Sequence, residues 1–325
     1  MSVIIVALRG DLHADVVVGA LAARGVRVLR MDPTEGGDEP SWIRIASPPL
    51  AAEIRVRREP VLAMGEVSGV LCRVAIDALI PSATADPLER FAQAEHLAVL
   101  TAALRAIPRE RWINDPWYEA RADCRIHQAR MAAALGLAVP PFLVSTDYEE
   151  LCAFAAHHGS CVIKPISDSP LAQVNGSFVA LEDLHTADFI APYAAAFVPL
   201  ADDARSSVDG TPSLIQVRVD KVADVRATVV DDDVFAGIMY REVADPVDIR
   251  LKPRPAVQPF RLPRAVADQL VSLVRRLEMR LASCDLVVDA SGKFHFLEAN
   301  VAGNWLWAEA DERMPIAEHL ATALV

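Results

Sequence analysis

Apolar runs and alternations divide the chain into short units. Val3 to Ala7 is uniformly apolar, Asp15 to Arg24 carries a helical pattern closed by Gly25, and Val26 to Leu29 is apolar again. That order predicts a βαβ opening, a doubly wound half-domain. Its first turn lacks the G-x-G-x-x-G spacing of a dinucleotide site. Weak alternation across Ile43 to Val56 predicts a hairpin, and Val67 to Val74 another buried strand. Asp86 followed by Pro87 gives an N-cap and a proline at the first helical position, opening a helix toward Ile107. The prolines and asparagine of Pro108 to Pro116 mark a connection, and a domain boundary is expected there.

Beyond it, Ala120 to Leu135 reads as one helix stopped by Gly136, and Thr146 with Glu149 as a capping box for a helix reaching His157. Cys161 to Lys164 is a strand ending in a lysine. The next segment, Ile166 to Gly176, has the Ser, Asp, Pro, Asn and Gly of a mobile loop. Ser213 to Val219 is a strand, and Val222 to Val230 and Val234 to Tyr240 pair across Asp231 to Asp233. Pro263 opens an amphipathic helix to Met279 with Val266, Leu270, Leu273, Val274 and Leu277 on one face, and a last helix runs from Met314 to Leu324.

The most informative stretch is Cys284 to Trp307. Asp285 to Val288 and Lys293 to Leu297 flank the turn residues Asp289-Ala-Ser-Gly292, which predicts an antiparallel hairpin. Asp285 and Glu298 then lie near its open end, and Glu298 and Asn300, two apart, leave the same face. Two carboxylates and an amide among apolar residues need compensating charge. A hard cation such as Mg²⁺ supplies it; so does an acidic cluster paired with arginines, and the local residues leave both readings open. Lys164 has two readings as well, a surface lysine or a point charge on phosphate. Trp305 and Trp307 could line a peptide groove, form a dimer contact or sit in the core, and Cys284 reads as core.

Charge and cysteines narrow the field. A formal net charge of −12 argues against a nucleic-acid partner. No apolar run reaches the roughly 20 residues of a membrane helix, although the mean hydropathy is +0.24. The five cysteines have no metal-ligand spacing and read as reduced thiols. With no signal-peptide pattern at the N-terminus, a cytoplasmic location is expected.

From about Trp112 to Val325 the chain resembles the ATP-grasp ligases, closest to the microviridin-type graspetide synthetases, which macrocyclise ribosomal peptides. The resemblance rests on Asp285 followed by Glu298-x-Asn300, on Trp112-Ile-Asn114, Gly136 to Pro140, Val162-Ile-Lys164-Pro165 and Phe296-Leu-Glu298, and on Leu214 to Lys221 before Asp224-Val-Arg226. It implies an α/β architecture: an N-terminal pre-grasp domain over residues 1–115 and an ATP-grasp domain over 116–325, its small lobe near 140–215 and its large lobe near 216–325.

By the same resemblance, Asp285, Glu298 and Asn300 would be metal ligands for Mg²⁺. Lys164 would contact ATP phosphates, Gln216, Val217 and Arg218 would receive the adenine, and Arg125 would belong to the nucleotide site. There the resembled family carries a lysine three residues ahead of a glutamine, here Gln128, and arginine changes the geometry of that charge. Lys221, Arg226, Asp248 and Arg250 would serve the γ-phosphate and the acyl phosphate formed from it. The implied partner is a precursor peptide with a leader segment, whose Glu or Asp is activated and closed onto a Ser, Thr or Lys; the dimer-contact reading of Trp305 and Trp307 adds a homodimer as an expectation. The alternatives are a ligase that joins free amino acids or extends a peptide terminus, and a nucleotide-binding protein without turnover.

Overall fold

A computed structural model describes residues 1–33, 42–47, 51–55, 60–74, 86–164, 166, 171–174, 177–180, 212–242, 256–309 and 314–325. The first apolar run forms β1 (Ser2–Val6), buried along its whole length. Helix α1 (Leu12–Ala23) begins ahead of its expected start at Asp15, because the Asp11 carboxylate accepts from the Ala14 N–H and caps it. After β2 (Arg27–Met31) comes the expected hairpin, β3 (Trp42–Ala46) and β4 (Ala51–Arg55), with β5 (Leu62–Ala63) at its edge. β6 (Val67–Cys72), helix α2 (Pro87–Leu104) and β7 (Trp112–Ile113) complete the first part. Strands β2-β1-β6-β7 form one parallel sheet, the arrangement the βαβ opening implies.

The helix expected over 120–135 is two: α3 (Pro116–Ala122) and α4 (Arg125–Ala134). The break falls at Asp123 and Cys124, where no Pro or Gly warns of it. Gln128 bridges the break by donating to the Ala122 carbonyl at 2.8 Å. β8 (Phe142–Ser145) leads to α5 (Tyr148–His158), whose cap is Asp147 and not Thr146: its carboxylate accepts from the N–H groups of Glu149 and Glu150. β9 (Cys161–Lys164) follows. Part of the expected loop is instead a hairpin of β10 (Leu171–Val174) and β11 (Ser177–Ala180). β12 (Ser213–Val217) lies antiparallel between β8 and β9 and ends two residues before its expected limit.

The main sheet consists of β13 (Lys221–Val230), β14 (Asp233–Tyr240), β15 (Gln258–Phe260), β16 (Leu281–Asp289) and β17 (Phe294–Asn300), in the order β15-β14-β13-β16-β17. Helix α6 (Arg264–Arg276) sets Leu270, Leu273 and Val274 against one face, on Val225, Ala227, Cys284, Leu286 and Phe296. Short α7 (Leu306–Glu309) and then α8 (Ile316–Ala323) return the chain to its beginning. There Leu320 and Leu324 share a buried cluster with Val3, Ile5 and Leu21, joined by Val230 and Leu281 from the opposite face of the main sheet. The approach is close at Gly69 on β6, where a Cβ would stand 2.2 Å from the Leu324 carbonyl oxygen. That opposite face is apolar only at the Val230 and Leu281 end; farther along it turns polar.

Candidate active site

Strand register sets the polar face. Arg226 on β13 stands opposite Asp285 on β16, and Asp285 opposite Glu298 on β17, so three charged side chains form one row. Arg226 is nearly buried, and its Nη1 donates to both Asp285 oxygens at 2.7 and 2.8 Å. Its Nη2 donates to the Asn304 carbonyl at 3.0 Å. Arg125, the first residue of α4, donates from Nε to Glu298 Oε2 at 2.9 Å. One row further in, Asn300 stands opposite Ser283, whose hydroxyl meets that of Thr228 at 2.9 Å.

A bulge makes this face possible. Asp285 pairs with Glu298 but Leu286 pairs with Phe296, so Leu297 is an extra residue on β17. Strict alternation would give Phe296 and Glu298 one face. With Leu297 inserted, Phe296 joins Ala299 in the core against α6, while Glu298 and Asn300 keep the polar side.

Both readings of the acidic residues are visible here. The arginine pairs are formed, and two carboxylates and an amide also line one face together. Among the described residues no group of three or more His, Cys, Asp or Glu gathers for a metal. The set of two carboxylates and one amide oxygen fits a hard divalent cation that completes its shell with water and phosphate oxygens.

The other expected residues fall in two places. Lys221 opens β13 and donates to Asp224 at 2.5 Å, with both side chains nearly buried on the side of the strand that carries Arg226. Lys164 ends β9 opposite Leu214. Gln216 is buried on β12, and the N–H groups of Val217 and Arg218 already donate to Pro141 and Ser160. The Arg218 guanidinium lies 3.7 Å from Asp220. Asp248 and Arg250 lie outside the described residues. The segment between α4 and β8 ties the two sheets together: the Ala138 carbonyl accepts from Phe296 on β17, and Pro141 from Val217 on β12. Trp305 is wholly buried core, with its indole N–H on Glu309, and the Trp307 side chain lies outside the described residues. Cys284 is also core, its thiol pushed up to about 12 by burial.

Several residues that shape the site were not singled out as functional by sequence reasoning. Asn114, nearly buried, donates to the Leu281 and Val301 carbonyls and accepts from the N–H groups of Arg280 and Leu281. Gln128 accepts from and donates to the Ala299 backbone, between Glu298 and Asn300. Arg73, just past β6, pairs with Asp11 at 2.8 Å, donates to the Ala302 carbonyl at 2.5 Å and lies over the Trp305 ring. A charge at the C-terminal end of a buried parallel strand was the available signal for Arg73, since that end of an α/β sheet is where ligands bind.

No protein-family model matches the chain, and no curated protein does. Solved structures do match over its full length. The macrocyclase MdnC bound with precursor peptide MdnA, from Microcystis aeruginosa, superposes with a TM-score of 0.76 at 20% identity, covering 100% of this chain and 99% of that one. A Chryseobacterium gregarium RiPP-associated ATP-grasp ligase in complex with ADP and a leader and core peptide gives 0.78 at 19% identity, covering 99% and 96%. The ATP-grasp ligase PsnB, with a phosphomimetic variant of its minimal precursor, Mg and ADP, gives 0.70 at 21% identity, covering 100% and 97%. The chain has the ATP-grasp fold. Within that fold it is similar to ligases solved with precursor peptides. Among the described residues no helix is long and apolar enough to cross a membrane.

Proposed function

We propose that this chain is an ADP-forming ligase that activates a Glu or Asp side chain of a precursor peptide as an acyl phosphate and closes it onto a hydroxyl or amine of the same peptide. The observation that carries the reading is the row Arg226, Asp285, Glu298 with Asn300 beside it, on one face of the main sheet of an ATP-grasp fold. The names of similar structures add that this fold, in those proteins, is found with ADP, Mg and precursor peptides.

In this reading Asp285, Glu298 and Asn300 would hold Mg²⁺, which would offset phosphate charge. Arg226 swings from Asp285 toward the transferring phosphoryl group and stabilises the charge spread over its oxygens. Arg125 keeps Glu298 in place, and Lys164 adds a second positive charge on ATP. Gln216, Val217 and Arg218 border the adenine, Lys221 and Asp224 brace the start of β13, and Asp248 and Arg250 are assigned, by the resemblance alone, to the γ-phosphate and the acyl phosphate formed from it. Residues 1–115 form the pre-grasp domain and 116–325 the two grasp lobes, in a cytoplasmic enzyme. Most of the acceleration then comes from positioning of carboxylate against phosphoryl group.

The test is to incubate the protein with ATP, Mg²⁺ and the precursor peptide encoded beside its gene. Loss of one water per ring in the intact mass, with ADP as the nucleotide product, is expected. A gain equal to an amino-acid residue, or AMP as product, rejects the reading.

A further inference from the structure

The N-terminal sheet sends a cluster to the edge of the polar row. β1 and β6 lie side by side and parallel, and just past their C-terminal ends stand Asp11, His13 and Arg73. Arg73 is held by Asp11 and in turn holds the Ala302 carbonyl and the Asn304 side chain. The Asn304 carbonyl accepts from Arg226, and Trp305, the next residue, meets the His13 ring edge to face at 4.7 Å. His13 is thereby fixed beside the turn that Arg226 grips. Its ring is partly exposed, while its Nδ1 is buried with no hydrogen-bond partner among the described residues.

A buried ring nitrogen without a partner costs about 1–3 kcal/mol, and such groups in a folded protein call for a reason. The charged groups that act on His13 are Arg73, Asp11 and Arg226. Burial first, and then Arg73 and Arg226 against the opposing Asp11, push its imidazole down to about 4, so it is neutral, with a lone pair to offer. Phosphate oxygens that engage Arg226 would withdraw part of that positive field and make the ring more basic at the moment an acyl phosphate is present.

We propose that His13 is a further catalytic residue, which accepts the proton of the acceptor hydroxyl or amine as it attacks the acyl phosphate. The inference rests on the ligase reading above. The acceptor's oxygen or nitrogen forms a bond to the acyl carbon, and the bond from that carbon to the phosphoryl oxygen breaks, its electron pair leaving on phosphate. The acceptor's proton passes to the exposed edge of the His13 imidazole, the buried Nδ1 being out of the acceptor's reach, and from there to the departing phosphate, so the ring is neutral again. The N-terminal domain thus takes part in the second half of the reaction, and the carboxylates of the main sheet, committed to cation and arginines, are not needed as the base.

His13→Ala and His13→Gln test this with ATP, Mg²⁺ and the precursor peptide encoded beside the gene, in parallel reactions with and without hydroxylamine. Hydroxylamine is a strong nucleophile that traps an acyl phosphate as a hydroxamate without a protein base. Ring closure should fall roughly 100-fold in both variants, hydroxamate should form within about threefold of the unchanged protein, and added imidazole should restore closure in His13→Ala by tenfold or so. Gln fills the place of the ring beside Trp305, so it reports on the proton even if Ala disturbs packing. Closure at the original rate, or equal loss of ring and hydroxamate with no response to imidazole, overturns the proposal. If the unchanged protein yields neither ring nor hydroxamate, the ligase reading itself falls.

Discussion

Arg226 and Asp285 face one another across β13 and β16, and a single guanidinium nitrogen reaches both carboxylate oxygens. The neighbouring carboxylate has an arginine of its own, since Glu298 accepts from Arg125. The two carboxylates are therefore neutralised separately, from two different elements. Repulsion between Asp285 and Glu298 alone would make Glu298→Gln the more stable protein; the Arg125 pair reverses the sign. With both side chains of that pair about a fifth to a quarter exposed, the loss is small, about 1 kcal/mol or less. Turnover is another matter, because Gln keeps the shape but not the charge that holds the cation. ADP release should fall roughly a thousandfold. A melting curve and an ADP assay on the same preparation check both parts, and near-normal ADP release removes Glu298 from the metal site.

Asn114 fills a gap between β16 and the turn after β17, with four hydrogen bonds from one side chain. Asn114→Ala leaves those backbone groups buried without partners and should destabilise the protein by about 3 kcal/mol or more. Urea unfolding measures it. Asn114→Asp, which keeps the acceptor but not the donor, should fall between the two.

Glu119 on α3 is buried, and its carboxyl is pushed up to about 7, first by burial and then by Asp123, with Arg73 opposing. The folded state thus holds a proton that the unfolded chain releases near 4.5. The contribution is complete below 4.5 and is lost as pH rises through about 7, up to about 3 kcal/mol across that window. Glu119→Gln removes the dependence. It should melt several degrees higher than the unchanged protein at pH 8 and close to it at pH 4.5, as thermal denaturation at the two pH values will record.

The sequence made the main elements legible where pattern and cap agree. The α6 helix with its face of Leu270, Leu273 and Val274, the hairpin across Asp231 to Asp233 and the Asp285 to Leu297 hairpin all follow from periodicity and turn residues. The break between α3 and α4 does not, because nothing at Asp123 or Cys124 disfavours a helix; tertiary bonds from Gln128 set it. The candidate site divides in the same way. Asp285, Glu298 and Asn300 could be named from spacing, since they lie on one hairpin. Their arginines could not be paired with them in advance, because Arg226 meets Asp285 through strand register and Arg125 reaches Glu298 only from the helix that starts after that break. The cluster of Asp11, His13 and Arg73 was hidden for a further reason: its partners Asn304 and Trp305 lie nearly 300 residues away from α1 and 230 from Arg73, a distance no local pattern spans.

The extra residue at Leu297 also sets how this hairpin tolerates insertions and deletions. It stands between the Asp289 turn and the Asp285–Glu298 pair, so the end of β17 beyond it is anchored by Arg125 and Gln128 independently of the turn. A codon added near Ala290 or Ser291, both exposed, would be absorbed where nothing binds. A codon lost at Leu297 would remove the bulge itself and leave Phe296 next to Glu298, which strict alternation sends to opposite faces, so the core phenylalanine and the polar carboxylate keep their sides. Two genes altered at these two places would thus encode the same two faces, one with a longer turn and the other without the local bend and twist of the bulge.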